Sequence, residues 1–208
     1  MKKKLVNLFR LLRKLLKGKY DPVSYWGGRA NPNSPEGESQ KRVDFDVGYI
    51  SQAIGDVAES VLELGPGVGR TFKAYYKSNI RVTTLDISRK YADDLLLASQ
   101  KQGIELEQFY LDTGDSVFPF ENNAFPVGVA SQVLLHIPPV SIRHSLSELI
   151  RVCEKVVVIT AYAHGKPTKI DHHVFNHDYF SLCTELGCSM HNVVMNEGRI
   201  CFTIRKLS

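Results

Sequence analysis

From residue 60 onward, short apolar stretches alternate with stretches of helical period, and this alternation limits the fold more than any other feature. Consecutive strand–helix units predict a parallel sheet with helices packed on both faces. The last two apolar stretches, 189–195 and 199–206, flank a turn that contains Gly198, which predicts an antiparallel hairpin. The chain is therefore predicted to form an α/β, Rossmann-like sheet of seven mostly parallel strands, with this C-terminal hairpin at one edge.

The boundaries of the elements come from the same pattern. The predicted strands are 60–64, 80–86, 104–112, 124–133, 154–162, 189–195 and 199–206. The predicted helices are 69–77, 88–103, 138–153 and 177–187. One domain over 46–208 accounts for all of them, because a chain of 208 residues can bury one full core.

A glycine-rich loop follows the first predicted strand. Gly65, Gly67 and Gly69 stand at alternate positions, where the missing Cβ atoms allow a sharp turn and let a ligand approach the backbone. The free N–H groups that follow can bind an anionic group. In sheets of this class, ligands bind beyond the carboxyl ends of the strands, where the strand order reverses. The loop therefore predicts a binding site at that edge.

Two acidic residues indicate which ligand this loop binds. Asp86 ends the second predicted strand, where its carboxylate can accept hydrogen bonds from both hydroxyls of a ribose. Glu63 precedes the glycine loop, where a carboxylate repels a pyrophosphate but attracts an ammonium or a sulfonium. Arg70 occupies the position of the third glycine in the dinucleotide-binding spacing. Together these residues favour S-adenosyl-L-methionine over a nicotinamide dinucleotide.

Five segments carry a resemblance to a known family: LELGPGVGR, TLDIS, FPFENNAF, SQVLLHIPP and LSELIRVCEKVVVIT. By these motifs the chain resembles the class I S-adenosylmethionine-dependent methyltransferases from about residue 45 to the C-terminus. The resemblance implies a methyltransferase with S-adenosyl-L-methionine as its cofactor, and it leaves the acceptor open. The chain departs from the family pattern at Pro126, where an aspartate is usual, and it lacks Pro-Gly-Gly before the fifth strand.

Carried over by position, the resemblance implies a set of residues that bind the cofactor. They are Glu63, Gly65, Gly67, Asp86, Ile87, Asp112, Thr113, Ser131 and Gln132. The first three and the last two would surround the methionine part. Asp86 would bind the ribose, and Ile87 would pack on the adenine. Asp112 or its neighbour Thr113 would meet the adenine amino group, and Asp115 is the alternative for that contact.

Two histidines are candidate catalytic residues. Methyl transfer from a sulfonium is an in-line displacement, and an acceptor hydroxyl is helped by a base near its proton. His136 follows the fourth strand at the mouth of the predicted crevice, where it would act as that base, contact the acceptor, or fix the loop before Pro138. His173 and Tyr179 follow the fifth strand and are candidates for contact with the acceptor.

The loop after the fifth strand also raises the question of a metal. A divalent cation there would use Asp171, His172, His173 and His177 as ligands. His173 and His177 would share a helix face only if the helix began before Asn176, which has the character of an N-cap. We therefore predict no metal site. The four cysteines lie in apolar surroundings without Cys-x-x-Cys spacing, which indicates buried, reduced thiols.

The net positive charge of the chain comes from the N-terminus alone. Residues 1–20 contain eight Lys or Arg and no acid, whereas the remaining 18 basic and 22 acidic residues give a net charge of −4. An acidic body offers no electrostatic surface for a nucleic acid, so none is expected as a partner. The leucines of 1–17 fall on one helical face, which predicts a basic amphipathic helix over 1–20. Its partner is an anionic membrane surface or an apolar protein surface, with RNA as a third option.

Residues 21–45 are rich in Gly, Pro, Asn and Ser and are predicted to form an irregular lid or linker. Tyr25, Trp26 and Arg29 lie within it, and Trp26 is the one tryptophan of the chain. Two interpretations stay open. Either the segment closes over the cofactor and the acceptor, with Arg29 on the methionine carboxylate, or its aromatic residues anchor the N-terminus to the sheet.

We expect the acceptor to be a small molecule, a glycan or a lipid-linked molecule that is methylated on oxygen. This expectation follows from the acidic body and from the basic helix, which would hold an enzyme near a membrane. The expected location is cytoplasmic, with peripheral contact to the inner face of the membrane through 1–17 as an option. The alternatives are a catalytically silent nucleoside-binding module of the same fold and an NAD-dependent oxidoreductase.

Overall fold

The computed structural model describes residues 20–28, 40–55, 59–76, 80–161, 169–171, 173–196 and 198–207. Its strands are β1 (Ser60–Leu64), β2 (Arg81–Asp86), β3 (Leu106–Tyr110), β4 (Phe125–Ser131), β5 (Cys153–Ala161), β6 (Lys169–Asp171), β7 (Val174–Phe175), β8 (Cys188–Asn196) and β9 (Arg199–Lys206). Its helices are α1 (Pro22–Gly28), α2 (Gln40–Ile54), α3 (Ala92–Lys101), α4 (Ile142–Val152) and α5 (Tyr179–Glu185). The amphipathic helix predicted over 1–20 lies, apart from Tyr20, outside the described residues.

Seven strands form one sheet in the order β3-β2-β1-β4-β5-β9-β8. Neighbouring strands are parallel from β3 to β5, whereas β9 is antiparallel to both β5 and β8. The predicted Rossmann-like sheet with a C-terminal hairpin at one edge is confirmed. Within the hairpin, β9 lies between β5 and β8, and β8 forms the edge of the sheet. The residues of β9 are therefore buried up to Ile204, whereas most of β8 is exposed.

Apolar residues of the sheet pack against helices on both faces. On one face α4 contributes Ile142, Leu146 and Leu149, which are buried against the sheet. On the opposite face α2 contributes Ile50 and Ile54. Spacings of three and four residues place each set on one side of its helix. The predicted packing of helices on both faces is therefore confirmed.

Two helices occupy parts of the segment that was predicted to be irregular. α1 begins at Pro22, and the carboxylate of Asp21 caps it by accepting the backbone N–H of Ser24 at 3.2 Å. In α2 every fourth residue from Asp46 to Ile54 is buried, which defines one helix face. The prediction of irregular structure was wrong for these residues. For α1, the high Gly and Pro content was given more weight than the capping residue Asp21. For α2, the buried face includes Asp46, so the apolar pattern in the sequence is incomplete.

The stretch predicted as a helix over 69–77 forms no α-helix in its described part. A 3-10 turn forms there at Phe72–Ala74. Tyr75 is fully buried, and its hydroxyl and that of Thr71 donate hydrogen bonds to the carboxylate of Glu63. These tertiary contacts hold the backbone in a tighter turn than the local pattern predicted.

Pro126 does not interrupt β4. Its neighbours Phe125 and Val127 pair with Cys153 and Lys155 of β5. A proline near the start of a strand removes one donor without breaking the ladder. The departure from the family pattern therefore changes one side chain and leaves the strand intact.

Candidate active site

A cavity of about 300 Å³ opens at the carboxyl ends of β1, β2 and β4, where the strand order reverses between β1 and β4. Cavities of this size and position are typical ligand sites in open α/β sheets. The predicted site residues that line it are Glu63, Gly65, Gly67, Asp86, Ile87, Ser131, Gln132, His136 and His173. The fold therefore brings residues from distant parts of the chain into one cavity.

The glycine loop forms one wall of the cavity. Gly65 has a φ of +61°, a left-handed conformation that favours glycine. A Cβ at this position would lie 2.5 Å from Cγ2 of Val133. The backbone N–H of Gly65 donates to the carbonyl of Leu85 at 2.9 Å, which joins the loop to β2. Glycine is therefore required at position 65, because Val133 occupies the space that a side chain would need, and Gly65 lines the cavity.

Glu63 lies in β1 directly before the glycine loop and is 1% exposed. The hydroxyls of Thr71 and Tyr75 donate to its two carboxylate oxygens, the second at 2.9 Å. Burial raises the pKa of Glu63 to about 7, against these two bonds and the attraction of Arg70, which lower it. A cation that enters the cavity would favour the charged form of this carboxyl group.

Asp86 ends β2 and lines the same cavity. The backbone N–H of Ser88 donates to its Oδ1 at 3.0 Å, which orients the carboxylate. Burial raises the pKa of Asp86 to about 6, and the N–H groups of Ser88 and Ile87 oppose this rise. Ile87 adds an apolar surface beside the carboxylate.

The end of β4 supplies a hydrogen-bond donor to the cavity. Gln132 follows Ser131, the last residue of the strand, and has a φ of +57°. A positive φ is uncommon for glutamine and marks a strained backbone. Among the described residues, Nε2 of Gln132 is the one buried side-chain polar atom without a hydrogen-bond partner. A buried donor of this kind is costly to leave unpaired, so it suits an acceptor atom of a bound ligand.

The loop after β3 differs from the prediction. Asp112, Thr113 and Asp115 are exposed, and none of them lines the cavity. Leu111 and Gly114 line it instead. Burial of the apolar Leu111 turns the polar side chains that follow it toward solvent. The structure therefore does not bring Asp112 or Thr113 to the cofactor cavity.

Arg70 lines the cavity, although the sequence analysis did not assign it to the site. Its Nη2 donates to Oγ of Ser131 at 2.9 Å and lies 3.3 Å from Oδ2 of Asp46. Its position directly after the glycine loop is the signal that could have identified it. Arg29, which was predicted to bind the methionine carboxylate, lies outside the described residues.

The other end of the cavity is built from rings. The ring cluster consists of Tyr25, Trp26, His136 and His173. The ring of His173 stacks on Tyr25 at 4.8 Å and on His136 at 5.4 Å between centroids. Trp26 meets His136 edge-on at 4.7 Å. Trp26 and both histidines line the cavity, so the two candidate catalytic residues lie together beneath α1.

Hydrogen bonds fix α1 to this end of the cavity. Nε1 of Trp26 donates to the hydroxyl of Tyr20 at 3.1 Å, and this hydroxyl donates to the backbone carbonyl of His136 at 3.0 Å. The aromatic residues therefore anchor the segment to the body of the protein. Trp26 and Pro22 of the same segment also line the cavity.

The protonation of His136 follows from its hydrogen bond. Its Nδ1 lies 2.8 Å from the backbone carbonyl of His173. A carbonyl only accepts, so Nδ1 carries a proton and the neutral imidazole has its lone pair on Nε2. His177, by contrast, is buried, and its Nε2 donates to the carbonyl of Ile137 at 3.0 Å. Burial lowers the pKa of His177, which therefore stays neutral as part of the core.

Among the remaining candidates of this loop, the side chains that the structure describes do not form a site, and the side chain of Asp171 is not one of them. Tyr179 is 2% exposed, and its hydroxyl lies 3.1 Å from that of Thr160, so its ring belongs to the core. Within the described ranges, no three His, Cys, Asp or Glu side chains gather into a metal site. His172 of the hypothetical ligand set lies outside these ranges. All four cysteines are buried and free.

The strand order, the left-handed glycine loop at the switch point and the acids Glu63 and Asp86 define a ligand site of the Rossmann-like type. In sequence, residues 61–155 match a family model described as a methyltransferase domain. This region contains β1 to β4 and the first residues of β5, so the chain carries a methyltransferase domain at the strands that line the cavity.

Solved structures share this fold. Magnesium protoporphyrin IX methyltransferase (ChlM) from Synechocystis PCC 6803 with bound SAH has a TM-score of 0.63 and 16% identity, over 81% of this chain and 83% of that chain. Burkholderia thailandensis 1,6-didemethyltoxoflavin-N1-methyltransferase, with its bound acceptor and S-adenosylhomocysteine, has a TM-score of 0.66 and 15% identity, over 89% and 84%. The (4+2)-cyclase SpnF has a TM-score of 0.69 and 14% identity, over 84% of each chain. At these identities the likeness shows the fold alone. A comparison with curated protein sequences found no match.

Proposed function

We propose that this methyltransferase transfers the methyl group of S-adenosyl-L-methionine to an oxygen atom of a small-molecule, glycan or lipid-linked acceptor. The observation that carries the proposal is that one cavity joins a donor end, with Glu63 and Asp86, to an acceptor end, with His136. When bound, the donor supplies a methyl group on a positively charged sulfur. The residues of the chain then have to align the acceptor and take up its proton.

The donor end fits S-adenosyl-L-methionine. Asp86 offers a carboxylate to the ribose hydroxyls, and Ile87 offers an apolar face to the adenine. Glu63 gains its charged form beside a cation, which matches the ammonium and sulfonium groups of the donor. Gly65 and Gly67 line the cavity, and Nε2 of Gln132 can donate to an acceptor atom of the ligand.

His136 is the proposed general base. Its Nδ1–H donates to the carbonyl of His173, so Nε2 accepts the proton of the acceptor hydroxyl as the oxygen–methyl bond forms and the carbon–sulfur bond breaks. The carbonyl of His173 then stabilises the positive charge on the imidazole. Trp26 and α1 limit the access of water to this end of the cavity.

The ring cluster supports a ring-bearing acceptor. Trp26, His136 and His173 line the acceptor end, and flat aromatic surfaces bind sugars and aromatic alcohols through apolar contact. The Burkholderia neighbour holds 1,6-didemethyltoxoflavin, a small-molecule acceptor, on the same fold. The neighbour SpnF is a cyclase, which means that the fold does not fix the acceptor by itself.

Binding of the donor is tested by titration with S-adenosylhomocysteine and with NADH. We expect the first to bind at micromolar levels and the second not to bind. Asp86→Asn should weaken the binding of S-adenosylhomocysteine by roughly tenfold, because the ribose loses a charged partner. Asp115→Asn is the matched control, because Asp115 is exposed and lies outside the cavity lining. Equal affinity in the two variants would contradict the site assignment.

The acceptor is identified by incubating the protein with labelled methyl donor and an extract of the source cell. The labelled product is then separated and its modified atom determined. Label on oxygen supports the proposal, and label on nitrogen or carbon contradicts its oxygen specificity. No labelled product, with S-adenosylhomocysteine still bound, would favour the silent binding module.

Contact with a membrane is proposed for the basic N-terminal segment. Among the described residues no helix is long and apolar enough to span a bilayer. Tyr20 is fixed to the rim of the cavity, so residues 1–17 would hold the acceptor end near a membrane surface. We expect full-length protein to float with vesicles of anionic phospholipid. Recovery should fall when Arg13 and Lys17 are replaced by Glu, whereas Lys41→Glu on the exposed body should leave it unchanged.

A further inference from the structure

A buried ion group connects the cavity to strand β9. Asp46 of α2 is 1% exposed, and Nη1 of Arg199 donates to its two carboxylate oxygens at 2.9 and 2.7 Å. Arg199, the first residue of β9, is 7% exposed. Nη2 of Arg70 lies 3.3 Å from Oδ2 of the same carboxylate. One carboxylate therefore contacts two guanidinium groups, and these three residues are called the Asp46 group.

Arg70 is the member of this group that reaches the cavity. Its Nη2 donates to Oγ of Ser131 at 2.9 Å, and both side chains line the cavity. A long arginine side chain loses conformational entropy when it is held in one position. The contacts to Asp46 and Ser131 hold it before a ligand binds, so the ligand does not have to order it.

The guanidinium of Arg70 is a charged donor at the edge of the cavity. Glu63 lies within its field, but burial raises the pKa of Glu63 to about 7, so this carboxyl group is only partly charged near neutral pH. A ligand that places an anionic group beside Arg70 would be attracted by the guanidinium and would accept its hydrogen bonds.

We infer that Asp46 is a positioning residue for the methyl donor, because it holds Arg70 where the guanidinium can bind the carboxylate at the amino-acid end of the donor. The inference rests on the proposed binding of the donor in this cavity. That carboxylate is the one anionic group of S-adenosyl-L-methionine. Arg70 is the one Arg or Lys among the described residues that line the cavity.

The pH dependence of binding follows from the same group. Burial raises the pKa of Asp46 to about 6, while Arg70 and Arg42 lower it. The other polar groups that face it are Arg199 and Cys201 of β9. Above this pKa the carboxylate is charged and holds Arg70. As the pH falls through about 6, Asp46 takes up a proton and Arg70 loses its charged partner.

The test compares two ligands in wild-type protein and in Asp46→Asn by calorimetry. S-adenosylhomocysteine carries the amino-acid end, whereas 5′-methylthioadenosine has the same nucleoside and sulfur without it. Asparagine keeps the shape of the side chain and removes its charge. We expect the affinity for S-adenosylhomocysteine to fall roughly tenfold and that for methylthioadenosine to change less than about twofold.

Arg199→Gln is the matched control. It breaks the other contact of the same buried carboxylate and leaves Asp46 beside Arg70. We expect it to lower the thermal midpoint of unfolding while the affinity for S-adenosylhomocysteine stays within about threefold of wild type. If Asp46→Asn does not fold, Arg70→Lys takes its place, because lysine keeps the charge but lacks the planar fork of donors by which a guanidinium can bind Asp46, Ser131 and a ligand carboxylate together.

A purely structural role for Asp46 predicts a different result. Equal losses for the two ligands in Asp46→Asn, or equal losses for S-adenosylhomocysteine in Asp46→Asn and Arg199→Gln, would overturn the inference. In wild-type protein the ratio of the two affinities should decline as the pH falls below about 6, and this decline should be weaker in Asp46→Asn. If wild-type protein binds neither ligand, the proposed function fails instead.

Discussion

The two ends of the cavity are built in different ways. The donor end is formed by residues at the ends of adjacent strands, with Glu63 on β1 and Asp86 on β2. The acceptor end joins Trp26, His136 and His173, which belong to separate segments that meet through ring contacts. The topology of the sheet therefore fixes the donor end, whereas contacts between loops create the acceptor end. Proteins of one fold can keep the first and vary the second.

His136→Gln tests whether the acceptor end contributes to the rate of methyl transfer without contributing to donor binding. Glutamine has no basic nitrogen near neutral pH, so we expect methyl transfer to a hydroxyl acceptor to slow by about 100-fold or more. The rate is measured as transfer of labelled methyl to the acceptor in cell extract. The affinity for S-adenosylhomocysteine should stay within about twofold. A large loss of this affinity would show that the two ends do not act separately.

Gly65→Ala tests whether the donor end depends on the strand-end backbone. The added Cβ would lie 2.5 Å from Cγ2 of Val133, at a φ of +61° that disfavours alanine. We expect the loop to shift and the affinity for S-adenosylhomocysteine to fall roughly 30-fold, as measured by calorimetry. Gly27→Ala is the control at the other end, because a Cβ added at Gly27 would have no atom within 4 Å. Similar losses of affinity for S-adenosylhomocysteine in the two variants would show that donor binding does not depend specifically on the backbone at Gly65.

Glu63→Gln tests how much the burial of this carboxylate at the donor end lowers the free energy of unfolding. The pKa of Glu63 is raised from 4.5 to about 7 in the folded protein, so the folded state holds this proton more tightly than the unfolded chain. The free energy of unfolding therefore falls as the pH rises from 4.5 to about 7. Glutamine avoids this loss, and at about pH 8 the variant should be more stable by roughly 2 kcal/mol.

Denaturant unfolding of Glu63→Gln at two pH values provides the check. The gain should be present near pH 8 and absent below about pH 4, where glutamate is protonated in both states. The affinity for S-adenosylhomocysteine should fall, because the ammonium group loses a charged partner. A gain of equal size at both pH values would assign the stability effect to packing and not to charge.

Trp26→Leu should have only a small effect on donor binding. Its ring contacts His136 at the acceptor end, so the affinity for S-adenosylhomocysteine should change less than about threefold. Phe118→Leu removes a ring from another part of the cavity lining and is the matched comparison. Isothermal titration of both variants measures the difference. A larger loss in Trp26→Leu would place α1 over the donor as well as the acceptor.

The sequence predicted most of the residues that line the proposed donor end of the cavity, because their signals are local. Apolar periodicity located the strands. Gly65 comes directly after the end of β1, and Asp86 is the last residue of β2, so both positions could be identified from the sequence. The side-chain direction of Asp112 was not predictable, because it depends on which neighbour the tertiary structure buries. The link between Arg70 and Asp46 was missed, because it joins residues that share no sequence motif.

The acceptor end was predicted as separate residues and not as a cluster. His136 and His173 were each identified by their position after a strand, but their stacking depends on how two loops fold over the sheet. α1 was hidden by the Gly and Pro content around it, although the sequence Asp21-Pro22 is a cap followed by a first-turn proline. Local patterns do not encode contacts between distant loops, so the ring cluster required the structure.

The inner position of β9 also bears on how the protein is made. Arg199 reaches Asp46 across 153 positions of the chain, and it begins the strand that lies between β5 and β8 in the folded sheet. During synthesis on a ribosome, α2 and the glycine loop emerge long before this strand. Until β9 emerges, Asp46 lacks its second guanidinium partner, so a nascent chain completes this buried ion group only after residue 199 has been made.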